Sequence, residues 1–442
     1  MSVLRYNIVI MLADVCDENT ILTPETQPPP ADCPGPLGRE GGNTKRPWEE
    51  WGLAFDPFQH LDAGKDSNLP AYLIGHASFE RLWGPWPNFF FAPSGGGKTA
   101  FRVRLSWACR TQEEGRRFFP ITFHLPDPDA VGLPPDENAL FSELLRAAGY
   151  ELLFHLAYRA YEFPAWDQEK RRRLGQALAQ TGIPLEHYLE QIEDAGSLYP
   201  LVESVAQPQD AVSSSTSASA PDSTRLSPPQ DPLPDSLRAF CRSLRAIPAA
   251  PVPQRSPLEQ FVALWQILIA DLGQEAIFVL VDGADAYRFQ PQEAISLLGP
   301  LLKRVHEWAD HKVMFKFFLP DEFHPLVEPN LLTAPSRTVI IEWSREQLAD
   351  VLRERLRVAS RGMFDSFKAM GSPRLARNVE ELLAGAADPP VPREVIFLAQ
   401  QVLAEHGRRE KNTHGSLEPE DLDAVLDGYQ AGRSRRGQGR AR

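Results

Sequence analysis

The 442-residue sequence predicts an α/β fold, a parallel sheet covered by helices on both faces, followed by an all-helical domain. Three observations predict it. Short apolar runs without polar alternation (Asn88–Ala92, Phe118–Leu125, Ala276–Val281, Val313–Leu319 and Thr338–Trp343) are separated by stretches of helical period. Strands buried on both faces read this way, and helical connections between them point to a parallel sheet. The first run leads into a turn with three consecutive glycines, Gly95, Gly96 and Gly97, and a helical stretch follows. After Ser344 the pattern is helical only.

Residues 20–47 are rich in proline and poor in apolar groups, so 1–47 is expected to be disordered. Order is expected from Trp48, where aromatic and turn residues mix. The strand at Asn88–Ala92 and the glycine turn lead into a helix ending near Thr111, and Phe118–Leu125 reads as the next strand. Residues 138–200 read as three helical pieces, with breaks near Pro164 and Pro184, inserted into the core. The Ser/Pro/Ala-rich stretch 207–235 reads as a disordered, flexible linker. A helix at Leu258–Leu272, the strand Ala276–Val281, a helix at Pro291–Trp308 and the last two strands complete a core domain spanning 48–343. A helical domain, 344–431, has breaks at Pro373-Arg374 and Pro392-Arg393. The basic, glycine-rich tail 432–442 is expected to be disordered. No repeat of solenoid or propeller length occurs.

Hydrophobic residues at 43% and charged residues at 24% are ordinary for a soluble protein. Lys+Arg 46 against Asp+Glu 59 gives a net charge of -13, which argues against a protein that works by wrapping nucleic acid. The tail arginines leave one local basic patch, and the EKRRR run at Glu169–Arg173 reads as a solvated helix surface. Cys16, Cys33, Cys109 and Cys241 lie far apart with no C-x-x-C pair, which argues against a disulfide framework or zinc site. The apolar run Ile8–Ala13 is too short to span a bilayer and has no small-x-small cleavage site after it. The expectation is a soluble, cytoplasmic protein with no membrane role.

The sharpest signal is Ala92-Pro93-Ser94-Gly95-Gly96-Gly97-Lys98-Thr99, which has the spacing of a phosphate-binding loop with Ala at the first glycine position. Glycines let successive N–H groups turn inward around a β-phosphate without side chains in the way. The helix that starts at Lys98 adds the positive end of its dipole. Ser94, Gly95, Gly96, Gly97, Lys98 and Thr99 are therefore the candidate nucleotide-binding residues. Lys98 would reach the β- and γ-phosphates, and Thr99 would bring its hydroxyl to Mg²⁺. The metal's acidic partner is expected at the carboxyl end of a neighbouring apolar strand, where Asp282 closes IFVLVD.

VLVDGADA resembles the Walker B segment of STAND-type signal-transduction ATPases, within the AAA+ group of P-loop ATPases. The stretch DPFQHLDAGKDSNLPAYLIG resembles the segment leading into their P-loop, and IIEWSREQLADVLRERLRVAS with VPREVIFLAQQVLAEH resembles their helical lid. The resemblance covers about 48–125 and 258–426. It implies a P-loop NTPase core of the AAA+/ASCE type, three α/β/α layers with a parallel sheet and a C-terminal helical lid, that binds ATP and Mg²⁺. It gives Asp282 the metal role and Asp285 that of the second acid, with Ala286 where the family has Glu. That departure predicts slow hydrolysis unless Asp285 positions the water. Arg393, at the start of a lid helix, corresponds to the sensor arginine. Arg374 competes for that role, and Arg337 stands where a trans-acting arginine finger would be.

Three readings follow for the activity. The chain is a nucleotide-dependent conformational switch whose output comes from a partner protein or from self-association, a ring ATPase acting on nucleic acid or protein, or an ATP-binding scaffold without turnover. Trp48, Trp51, Trp83 and Trp86 precede the loop and are expected to pack that segment onto the sheet rather than to flank adenine.

Overall fold

The computed structural model describes residues 48, 51–66, 68–126, 137–195, 198, 201–202, 232–248, 255–332, 337–409 and 415–440. The segment 1–47 and residues 207–231 of the expected linker lie outside them.

Helix α1 (Ala77–Trp83) precedes strand β1 (Asn88–Ala92), helix α2 (Lys98–Arg110) and strand β2 (Phe118–His124). Helices α3 (Glu137–Tyr158), α4 (Gln168–Ala179), α5 (Leu185–Asp194), α6 (Pro234–Arg245) and α7 (Pro257–Asp271) lead to strand β3 (Ala276–Asp282). Helices α8 (Pro291–Leu302) and α9 (Val305–Asp310), read from sequence as one helix, precede β4 (Val313–Pro320) and β5 (Arg337–Ile340). The last stretch holds α10 (Arg345–Ala359), α11 (Val379–Ala386), α12 (Pro392–Arg409) and α13 (Pro419–Arg440). Residues 432–440, expected to be disordered, thus continue a helix, and α6 begins inside the stretch read as linker.

The five strands form one all-parallel sheet in the order β2-β3-β4-β1-β5. Alternate strand residues enter two cores. Phe89, Phe91, Phe119, Ile121, Ile277, Val279, Phe315 and Phe317 pack with side chains from α3 to α9. Phe90, Phe118, Phe278, Leu280 and Phe318 pack with α1 and α2 on the other face. Burial on both faces is why these strands lack alternation, and the layering is consistent with three α/β/α layers. The helices of 137–245 share one core with the sheet.

Helices α10 to α13 build a separate core, and Leu53 and Phe58 belong to it, with Trp48 and Trp51 packed against it. The segment before β1 is held there by polar contacts too. Arg355 of α10 donates to the Pro57 carbonyl at 2.7 Å and pairs with buried Asp66 at 3.1 Å. The four tryptophans therefore separate. Trp48 and Trp51 pack on the helical domain rather than the sheet, because that is where their segment's apolar residues find partners. Trp83 packs on Phe118 and Phe278, and the Trp86 indole donates to the Arg81 carbonyl. Among the described residues, no helix is long and apolar enough to cross a membrane.

Candidate functional site

Parallel strands bring their carboxyl ends, and the turns that follow them, to one edge of the sheet. There β1 ends at Ala92 and β3 at Asp282, with β4 between them. The chain leaves β1 through a bend only glycine accommodates. Gly95 and Gly97 have φ of +77° and +96°, the left-handed region that disfavours side chains. A Cβ on Gly96 would stand 2.8 Å from the Pro93 carbonyl oxygen, and one on Gly95 would stand 2.7 Å from the Arg393 Cβ.

The hydrogen bonds of the bend have a direction. The Gly96 N–H donates to Pro93 O at 2.9 Å. The Gly95 carbonyl accepts from the Arg393 backbone N–H at 3.3 Å, and the Gly96 carbonyl accepts from the Trp343 indole at 2.9 Å. In a trans peptide the C=O and N–H point oppositely, so the indole turns the Gly97 N–H to the other side. No side chain caps α2, and the amides of its first turn have no intrahelical acceptor. The Gly96 N–H is thus spent on Pro93 O, while the Gly95 and Gly96 carbonyls are held by Arg393 and Trp343. The Gly97 N–H, the first-turn amides of α2 and its dipole are left over, an arrangement that suits an anion.

Charged groups surround it. Lys98 is 4% exposed. Its ammonium donates to Ala92 O at 2.9 Å and Pro93 O at 3.1 Å, and pairs with Asp285 Oδ1 at 3.1 Å. Asp321, just past β4, lies within electrostatic reach of Lys98. Asp282 accepts from the Gly283 N–H at Oδ1, 2.8 Å, and from Arg102 Nε at Oδ2, 2.9 Å. Burial would raise the Asp282 carboxyl, but Arg102, His124 and the Gly283 N–H together hold it below its ordinary value. The Asp285 side chain is 39% exposed, yet its Oδ1 is enclosed. That enclosure pushes its carboxyl up against the pull of Lys98 and Arg393.

The fold brings most of the sequence-selected residues together. Ser94 meets the Arg393 guanidinium at 3.1 Å, Lys98 meets Asp285, and Gly64 of the preceding segment stands beside Thr99. Ala286 is exposed. Arg374 is not part of the cluster, for its guanidinium is spent on Glu420 at 2.7 Å and Glu418 at 3.7 Å, within the helical domain. Arg337 opens β5 opposite Asn88, at the far end of β1 from the bend.

Sequence reasoning missed two residues. Arg102 follows Thr99 by three positions, so both lie on one face of α2, a spacing that could have flagged it. Trp343 was taken into a strand that ends at Ile340, and its contact with Gly96 leaves no local trace. Comparison with known proteins matches the chain to no family model, no curated protein and no solved structure.

Proposed function

We propose that the chain is a P-loop ATPase of the AAA+/STAND kind, binding ATP at Ser94–Thr99 and hydrolysing it slowly, with residues 345–440 as a helical lid that responds to the nucleotide. The observation that carries the reading is the grip on the bend by Arg393 of the lid and by Trp343 in the connection just before it. Arg393 at the start of α12 and Trp343 beside α10 hold the carbonyls of Gly95 and Gly96, leaving N–H groups and Lys98 to a triphosphate. The all-parallel sheet, which brings the carboxyl ends of the loop strand and the Asp282 strand to one edge, supports it.

In this reading Lys98 exchanges Ala92 O, Pro93 O and Asp285 for phosphate oxygens, and Arg393 exchanges Ser94 for the γ-phosphate. Thr99 and Asp282 would hold Mg²⁺, whose chemistry is to neutralise charge developing on the β- and γ-phosphates. A two-residue set fits this metal, which takes one or two protein oxygens and fills its shell from phosphates and water. Among the described residues no cluster of three or more acidic, histidine or cysteine ligands competes with it. Once Lys98 has left it, Asp285 would accept the proton of the water whose oxygen adds to the γ-phosphorus as the bond to the bridging oxygen breaks, leaving ADP and phosphate. Ala286 contributes nothing to that water, and turnover is slow for that reason.

Steady-state ATP turnover by wild type beside Lys98→Ala and Ala286→Glu tests the proposal. Lys98→Ala should abolish turnover, and Ala286→Glu, an exposed and structurally inexpensive change, should raise it. A fall or no change in Ala286→Glu would count against slow turnover set by Ala286, and no turnover by wild type would count for a scaffold that binds without hydrolysis.

A further inference from the structure

Arg102 has no task in the scheme above, yet it is built into the site. It is 4% exposed and its partner Asp282 is 3% exposed. Nε meets Asp282 Oδ2 at 2.9 Å, and the other carboxylate oxygen is taken by the Gly283 N–H. The carboxylate expected to serve a metal is therefore already charge-paired, with one hydrogen bond to each oxygen. A buried carboxylate that loses its cationic partner pays a large desolvation cost, so releasing Arg102 is favoured only when another cation takes its place. Helix α2 can present two. Arg102 is one, and Thr99, one turn earlier on the same face, brings the hydroxyl that would share a divalent cation with Asp282.

We infer that Arg102 is a positioning residue that holds Asp282 Oδ2 in competition with the divalent cation. The inference rests on the nucleotide-site reading. It makes magnesium binding an exchange of one cation for another at a single oxygen. The free cation gains little from the paired carboxylate. A cation carried by the triphosphate brings extra ligands and displaces the guanidinium, so nucleotide and metal bind as one unit.

The test is calorimetric titration of the full chain with a non-hydrolysable ATP analogue, in EDTA and across a magnesium series. Removing the competitor in Arg102→Gln should lower the magnesium midpoint for analogue binding by about tenfold or more, as expected when a charged competitor leaves a buried carboxylate. Arg102→Lys should restore most of the wild-type midpoint, since it returns the charge. A midpoint in Arg102→Gln within about twofold of wild type, less than the competition requires, overturns the inference. A second measurement needs no destabilised variant. In wild type the Arg102 Nε–H resonance, assigned by its loss in Arg102→Lys, should be protected from exchange with the analogue in EDTA and lose protection when magnesium is added. Unchanged protection with magnesium and analogue bound overturns the inference. If wild type binds the analogue in neither condition, the nucleotide reading falls as well; if it binds with a magnesium dependence indifferent to Arg102, only the competition falls.

Discussion

Arg393 and Gly95 meet backbone to backbone, with the Arg393 N–H donating to the Gly95 carbonyl at 3.3 Å and no space for a methyl group between the two α-carbons. The helical domain therefore reads the glycine-rich bend through the main chain, before any side chain is considered. Gly95→Ala should break this contact in two ways. Its φ of +77° strains any residue with a Cβ, and that Cβ would collide with Arg393 at 2.7 Å. Gly115 is a built-in control, with φ of +71° and nothing within 4 Å of its would-be Cβ. Gly115→Ala should lose only the conformational part, about 1 kcal/mol. Gly95→Ala should lose clearly more, together with nucleotide affinity, as read by thermal unfolding and calorimetry of both variants. Equal losses would mean that Arg393 does not constrain the bend.

Trp343 holds the next carbonyl and touches two further groups. Its ring lies 4.9 Å from His76 and 6.4 Å from Phe101. Trp343→Phe keeps one aromatic ring and deletes the donor to Gly96 together with part of the indole's contact surface. The hydrogen bond accounts for about 1 kcal/mol of the expected cost, and the lost ring contacts add to it. Because the Gly96–Gly97 peptide is then free to turn, nucleotide affinity should fall while the fold persists. Indole fluorescence supplies an independent readout. The response to added nucleotide should vanish in Trp343→Phe and survive in Trp86→Phe, whose indole binds Arg81.

The bend and its surroundings differ in how far the chain announces them. Left-handed backbone demands glycine, so Gly95 and Gly97 are visible in the sequence, and strands buried on both faces are visible as unbroken apolar runs. Helix α6 was hidden because it begins among Ser and Pro residues, although Leu237, Phe240, Cys241 and Leu244 carry the helical period and are all buried. Arg102 and Arg355 were hidden for a different reason. An arginine on a helix is ordinarily a surface group, and only the approach of β3 to α2, or of Asp66 to α10, buries it against a carboxylate. Contacts between distant segments leave no periodicity to read.

Lys316 marks the opposite edge of the sheet. It is fully buried in β4, in register with Asn88 at the start of β1. Its ammonium donates to the carbonyls of Leu82, Gly84 and Trp86 at 2.7, 2.8 and 2.7 Å and to Asn88 Oδ1 at 2.5 Å, and it lies over the Phe278 ring. The end of α1 and the turn after it thus hang on one cation. Lys316→Met keeps the stem and strands four acceptors, which should cost about 3 kcal/mol or more. Urea unfolding should show the lowered midpoint. Nucleotide affinity of the folded fraction should stay near wild type, because the bend lies at the other end of β1; a large loss of affinity would mean that the two edges are coupled.

His155 sets a pH dependence separate from the site. It lies on α3 against Phe119, ring centroids 5.4 Å apart, with Nε2 enclosed and without a hydrogen-bond partner. Burial pushes its pKa from 6.5 down to about 3, with Arg159 adding to the shift. The folded state thus keeps the ring neutral while the unfolded chain takes up a proton below 6.5. Between these values the unfolded state binds more protons, so stability falls as pH falls, by up to about 1.4 kcal/mol per unit. The carboxylates held low by their partners, Asp282 and Asp421, act in a later window. Their contribution is present above the ordinary Asp range and lost only as pH drops through their lowered values. His155→Leu should therefore flatten the stability profile between pH 6 and 4 and leave the steeper acid loss below it in place. Urea midpoints of both proteins across that range decide it, and parallel profiles would mean that the ring accepts a proton in the folded state.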